Sequence, residues 1–252
     1  SEANIAGTLL GGGIRLHRDD EAIRHHLGVS GFATHAVVRR ESLVPVPDEV
    51  PAEIAAVLGC AVLTGGGAVI NAGQPAPEDD VVGVGLGGVG MAAVLTAAGS
   101  RKGGRVIAVD VNEDKLTMAK ELGADVVNTP EDTEADKLRA PVVVEAAGHE
   151  KAFETAVNLT AMGGTTVTVG LPHPEAWARI SPAALTGKAR TIKGCYRGSA
   201  VPSRDIPIYA QMYLDGNLAV DKLISSRIRL ADINEAMDEL DAGHAVGQVM
   251  IF

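Results

Sequence analysis

Three glycines spaced Gly85-x-Gly87-x-x-Gly90 follow an apolar run, Val81 to Val84, and lead into a helix-permissive stretch, Met91 to Ala98. A second apolar run, Arg105 to Val109, ends in Asp110, twenty residues after Gly90. Strand, glycine turn, helix, strand and carboxylate, in that order, suit the binding of a dinucleotide. Gly85 permits the tight turn off the strand. Gly87 has no Cβ and lets a pyrophosphate reach the backbone. Gly90 lets the helix pack close to the strand. Gly88 and Val89 complete the loop, whose free N–H groups at the helix start face the phosphates.

Asp110 is expected to accept hydrogen bonds from both ribose hydroxyls of an adenosine. A carboxylate there repels a 2′-phosphate, and the next residues, Val111, Asn112, Glu113 and Asp114, include no arginine to receive one. The cofactor expected is therefore NAD rather than NADP. Asp110 also reads as an N-cap for the helix from Glu113 to Leu122, but Asn112 can take that role.

These motifs need a scaffold, and the composition bounds it. The chain has 252 residues, 46% of them hydrophobic and only 3% aromatic. An Ala- and Val-rich apolar load suits helices packed on a parallel sheet. A formal charge of −10 argues against nucleic acid or an anionic membrane as partner. Two cysteines, Cys60 and Cys195, imply no disulfide framework. With no leader read at the start of the chain, the expected location is cytoplasmic. Ile54 to Ile70 reads as a buried helix with its exit turn at Gly65-Gly66-Gly67, rather than as a membrane span.

From Asp80 the pattern alternates between strand and helix. Strands are expected at Val81–Val84, Arg105–Asp110, Val126–Val127, Val142–Glu145, Thr165–Gly170 and Arg190–Lys193. Helices are expected at Val89–Ala98, Glu113–Leu122 and Lys151–Leu159. Thr133–Leu138 is too short and polar to assign. The fold expected is an α/β, Rossmann-type, doubly wound parallel sheet over residues 62–195. Gly148 and Gly170 fall at its carboxyl edge, where ligands sit. Residues 1–61 and 196–252 look different. They offer a strand at Phe32–Val38, a helix after Pro51, a helix at Ile206–Leu214, a strand at Ile224–Ile228, a helix at Ile233–Asp241 and a closing strand at Val246–Phe252.

Several segments together resemble zinc-type medium-chain alcohol dehydrogenases. They are His25-His26-Leu27-Gly28-Val29-Ser30-Gly31-Phe32, Leu58-Gly59-Cys60, the glycine loop, Val109 to Lys115, Glu121-Leu122-Gly123-Ala124, Glu145-Ala146-Ala147-Gly148, Thr191-Ile192-Lys193-Gly194 and Gly247 to Phe252. The resemblance implies oxidation of a small alcohol to an aldehyde or ketone, with hydride passing to the nicotinamide of NAD and Zn²⁺ stabilising the alkoxide. It makes Cys60 a metal ligand and puts Thr64 and Val89 near the nicotinamide. Ala147, Val169, Gly170 and Leu171 line the cofactor cleft. It implies that the two chain ends form part of a β-rich, GroES-like catalytic lobe. It also implies a homodimer or higher homo-oligomer, through the region around Trp177.

The departures matter equally. The family's other zinc ligands, its structural-zinc lobe and its histidine proton relay are not found, so the resemblance implies an N-terminally truncated chain lacking on the order of a hundred residues. Catalytic zinc needs three protein ligands, and Cys60 alone cannot hold it. Read without the resemblance, Cys60 is a small buried hydrophobe among Ile54, Val57, Leu58 and Val62. Gly247 stands where many relatives have an arginine near the pyrophosphate, which predicts a loose NAD site. Two alternatives stay open: a catalytically silent nucleotide-binding module, and a zinc-free medium-chain quinone reductase. His25-His26 reads as structural or exposed, His149 as a loop residue near a ribose or in water, and Cys195 and Tyr196 as packed between lobes.

Overall fold

The computed structural model describes residues 5–9, 11–26, 29, 31–100 and 104–252. Leu27, Gly28 and Ser30 of the resemblance lie outside the described residues. A hairpin, β1 (Leu16–Arg18) with β2 (Glu21–Ile23), comes first, and its side chains are exposed. The strand expected at Phe32–Val38 does not form. That stretch is exposed throughout and, among the described residues, pairs with no strand.

The centre is a six-stranded sheet of β3 (Val81–Val84), β4 (Val106–Val109), β5 (Val126–Asn128), β6 (Ala140–Glu145), β7 (Thr160–Thr168) and β8 (Thr191–Gly194). Its order is β5-β4-β3-β6-β7-β8, and every pair is parallel. Chain order reverses between β4 and β6, on either side of β3. That is the doubly wound Rossmann arrangement, with its crevice beyond the carboxyl ends of β3 and β6.

The near-continuous apolar runs in β3, β4 and β6 are explained by burial on both faces. Val82, Val84, Ile107, Val109 and Val143 join one apolar cluster with Ala156 and Leu159. Val106, Ala108, Val142 and Val144 join the larger one, on the opposite face. This alternation is the two-residue period of a strand.

Helices cover both faces: α1 (Ala52–Gly73), α2 (Gly88–Ser100), α3 (Glu113–Glu121), α4 (Pro130–Ala135), α5 (Glu150–Leu159), α6 (Pro182–Gly187), α7 (Pro202–Leu214) and α8 (Ile233–Asp241). α4 forms where no assignment was possible. Thr129 and Asp132 make a capping box and Pro130 opens the first turn, so local hydrogen bonds hold what apolar periodicity does not signal. β9 (Ser226–Ile228) and β10 (Gln248–Met250) make a separate parallel pair.

α1 corrects the reading of its glycines. Gly65, Gly66 and Gly67 are not an exit turn; the helix runs through them. A methyl on Gly65 would stand 2.2 Å from the Val89 carbonyl oxygen, and one on Gly67 would stand 2.2 Å from that of Gly198. The glycines let other backbone segments touch the helix. By length and composition α1 could cross a membrane, yet half of its apolar window is buried in this fold.

Gly90 sets how closely α2 approaches β3. A methyl there would lie 1.8 Å from the Gly85 carbonyl oxygen. Since the obstacle is backbone, Gly90→Ala is expected to destabilise the chain by about 3 kcal/mol, read as a lower urea midpoint at unchanged m-value.

Candidate functional site: the crevice at the crossover

Gly85 leaves β3 with φ +86°, and its backbone lies directly against Ala147, the second residue after β6. A methyl on Gly85 would stand 2.5 Å from the Ala147 Cβ. The exits of β3 and β6 are thereby held together, and the crevice begins above them.

Gly87 differs from its neighbours. Its φ is not in the left-handed region, and a methyl built on it would meet nothing within 4 Å. Neither backbone conformation nor internal packing requires glycine here; the space beside it faces out of the chain. The first helical hydrogen bond of α2 runs from Met91 N–H to Gly87 O. The amides of Gly88, Val89 and Gly90 therefore stand ahead of the helical ladder. Half-buried Gly87, Gly88 and Val89 thus form a cradle for an anion at a helix N-terminus.

Asp110 ends β4 on the other side of the turn. One carboxylate oxygen accepts the Leu86 N–H at 2.6 Å and the other accepts the Asn112 N–H at 2.9 Å. The residue is half-buried, so the carboxylate is fixed beside the glycine loop while one side stays open. The helix cap belongs to Asn112, whose side chain accepts from Asp114 and Lys115 N–H. Asp110 is thereby spared that role.

The opposite wall comes from the exits of β6 and β7. Ala147 is exposed, Val169 and Gly170 are half-buried, and Leu171 is 81% exposed. Beyond Thr168 the N–H groups of Val169 and Gly170 both turn to the Glu145 carbonyl, which ends the strand earlier than the expected Gly170. Glu145 was overlooked as a site residue. The available signal was a carboxylate closing an otherwise apolar strand directly before Ala-Ala-Gly.

α1 supplies the floor. Gly65 touches Val89, and Ala61 lies beside Gly88. Thr64, between them, is half-buried, and Cys60, just before Ala61, is exposed in a π-type turn spanning Leu58–Val62. The buried-hydrophobe reading of Cys60 therefore fails. Among the described residues no group of three or more His, Cys, Asp or Glu side chains could hold a metal ion. The described donors do not fit a catalytic zinc centre. His25 is buried and its Nε2 accepts the Arg15 N–H. His149 caps α5 by accepting from Lys151 N–H. Cys195 is buried as expected, but Tyr196 is 76% exposed, while Gly198 two residues on packs against α1.

Gly247 also lies against the loop's surroundings. Val246 O faces Gly88, and a methyl on Gly247 would meet the Leu223 carbonyl oxygen at 2.4 Å. No side chain fits at residue 247 in this conformation, so glycine, and not the arginine that the resemblance would place here, suits the backbone.

α1 is braced from behind by α7. The Asp205 carboxylate, 4% exposed, accepts from Asn71 Nδ2, Val201 N–H and Arg204. The Arg204 guanidinium chiefly holds its pKa below the usual range, with the Val201 and Asn71 donors adding to the effect. The Tyr209 ring fills the space over Gly66. Burial, reinforced by Asp205, pushes the Tyr209 hydroxyl up to about 12. The folded-state value lies above the unfolded value of 10, so the stabilisation is complete below pH 10 and lost as pH rises towards 12. Tyr209→Phe is expected to remove this loss, gaining about 2 kcal/mol on the parent between pH about 9 and about 11.5, measured by urea unfolding.

Comparison with known proteins agrees with this geometry. The zinc-binding dehydrogenase family matches residues 88–214. Geraniol dehydrogenase of Castellaniella defragrans is 34% identical over 236 residues, which cover 89% of this chain and 62% of that protein. Alcohol dehydrogenase 2 of Zea mays is 29% identical, over 97% of this chain and 67% of that one. Among solved structures, benzyl alcohol dehydrogenase from Acinetobacter calcoaceticus superposes with a TM-score of 0.84 at 29% identity, covering 92% of this chain and 67% of that chain. The chain thus spans 62% of the length of the first of these and 67% of the other two. With its glycine loop and crossover sheet inside the matched region or bordering it, this chain belongs to the zinc-binding dehydrogenase family.

Proposed function

We propose that the chain binds NAD across the β3/β6 crossover and serves hydride transfer between a small alcohol and its aldehyde or ketone. The observation that carries this reading is the unfilled space at Gly87, beside amides left out of the helical ladder. The Gly88, Val89 and Gly90 amides would receive the pyrophosphate. The free side of the Asp110 carboxylate would receive the ribose hydroxyls. Val89, Thr64, Ala147, Val169, Gly170 and Leu171 would border the nicotinamide and keep water from one of its faces. When bound, NAD supplies the hydride acceptor. The names of the relatives, which act on geraniol, benzyl alcohol and other alcohols, support a small alcohol or aldehyde as substrate.

The division of labour follows. All strands of the main sheet fall within 62–195, which supports that range as the NAD-binding domain. The chain ends, 1–61 and 196–252, would contribute to a catalytic lobe. A second reading, a nucleotide-binding module without dehydrogenase activity, is favoured by one observation: Cys60 belongs to no group of three or more metal donors among the described residues.

Titration with NADH is expected to enhance its fluorescence saturably, while Gly87→Ala weakens binding about tenfold or more and leaves the unfolding midpoint unchanged. A flat titration with the folded parent would defeat the NAD reading. Alcohol-dependent NADH formation, measured alongside bound zinc, separates dehydrogenase from silent module.

An oligomer is proposed on separate grounds. β8 is an edge strand with exposed Thr191, Lys193 and Gly194, and Trp177 is 87% exposed. An open sheet edge and an exposed tryptophan each favour contact with a second copy of this chain. Light scattering at micromolar concentration should give at least twice the 25.9 kDa chain mass.

A further inference from the structure

Glu145 is the last residue of β6 and one of the most deeply buried charged side chains described, at 1% exposure. Its Oε1 accepts the N–H groups of Ala147 and Gly148, each at 2.8 Å. Its Oε2 accepts the Thr168 hydroxyl at 2.7 Å. Its main-chain oxygen accepts from Val169 at 2.9 Å and from Gly170 at 3.2 Å. One residue therefore ties the exit of β6 to the exit of β7. The fit is close: a methyl on Gly170 would meet the Gly148 nitrogen at 2.2 Å and Glu145 Oε1 at 2.8 Å.

The two exits joined here form one side of the crevice; the β6 exit backs the glycine turn where Ala147 meets Gly85, and the β7 exit, held by Thr168, lies on the far side of β6 from that turn. Asp110 ends β4, on the far side of β3 from β6 and β7. A dinucleotide with its adenosine ribose at Asp110 and its pyrophosphate over Gly87 must extend its other half towards Ala147, Val169 and Leu171. Glu145 touches none of that space; it fixes the backbone that borders it. Hydrogen bonds to a carboxylate are short and strong, and removing one partner leaves buried donors unmet.

We propose that Glu145, with Thr168, is a positioning residue that sets the wall receiving the nicotinamide half of the cofactor, without acting on the adenosine half. This inference rests on the NAD reading above. It predicts a selective loss. Ligands that fill both halves should suffer when the clamp is loosened, and ligands that lack the nicotinamide should not.

The test uses purified chain, NAD⁺ and ADP-ribose, with dissociation constants from calorimetry. Thr168→Val removes the hydroxyl donor at nearly constant shape. It should weaken NAD⁺ about tenfold while ADP-ribose stays within about twofold, and Thr168→Ser should restore NAD⁺ binding. Glu145→Gln keeps an acceptor for the two amides and should fall between parent and Thr168→Val. Equal weakening of both ligands, or no change in either, would overturn the role assigned to Glu145. A folded parent that binds neither ligand would overturn the NAD reading itself, and this inference with it.

Discussion

Backbone pressed against backbone at the crossover is the constraint on which the rest depends. Gly90 of α2 sits over the Gly85 carbonyl, and Gly85 sits against Ala147. No side chain fits at either contact. With these approaches in place, α2 starts directly above β3, its leading amides open on the crevice, and the exits of β3 and β6 meet. Any lateral shift of α2 would move the cradle away from Asp110, whose carboxylate already reaches across to the Leu86 amide. α1 repeats the device, with Gly65 against Val89 and Gly67 against Gly198. The floor of the site and its anion cradle are thus joined through main-chain contact, which a core of flexible side chains would hold less firmly.

What the sequence made legible follows from how local each cause is. Val81–Val84 and the run ending at Val109 were readable because strands buried on both faces must be apolar throughout. The helix Ile233–Asp241 was assigned with the bounds the structure gives it. Gly85, Gly87, Gly90 and Asp110 were readable because turn, strand and acid are spaced by the fold itself. The Gly65–Gly67 run was misread because the reason for each glycine lies at Val89, Tyr209 and Gly198, far away in sequence. Phe32–Val38 had the composition of a strand but, among the described residues, pairs with none. The work of Glu145 was hidden because one of its donors, Thr168, lies twenty-three residues away. Local propensity carries no record of such contacts.

The two sides of the crevice are built on different principles. The Asp110 side is rigid through a half-buried carboxylate that borders the crevice and uses part of its capacity to hold itself. The Glu145 side is rigid through a carboxylate that is wholly internal and spends its capacity on the chain. Each is an acceptor placed at the end of a parallel strand, where N–H groups of its own or a neighbouring strand's turn converge. An apolar side chain at either position would leave those amides without partners in a half-closed site.

Asp110 also bears on which dinucleotide the proposed site would accept. An ionised carboxylate offers about four lone-pair sites. Leu86 and Asn112 amides take one on each oxygen. About two remain, matching in number the two hydroxyls of an unmodified adenosine ribose. A 2′-phosphate would replace one of those donors with an acceptor and set negative charge against a carboxylate that its backbone bonds prevent from turning away. The residues after it, Val111 to Asp114, bring an exposed valine, a capping asparagine and two acids, so no cation in that segment offsets the repulsion. The preference for NAD proposed above would thus rest on a fixed acceptor rather than on a pocket too small for phosphate. Exchanging it would require freeing the Leu86 amide as well as changing the charge.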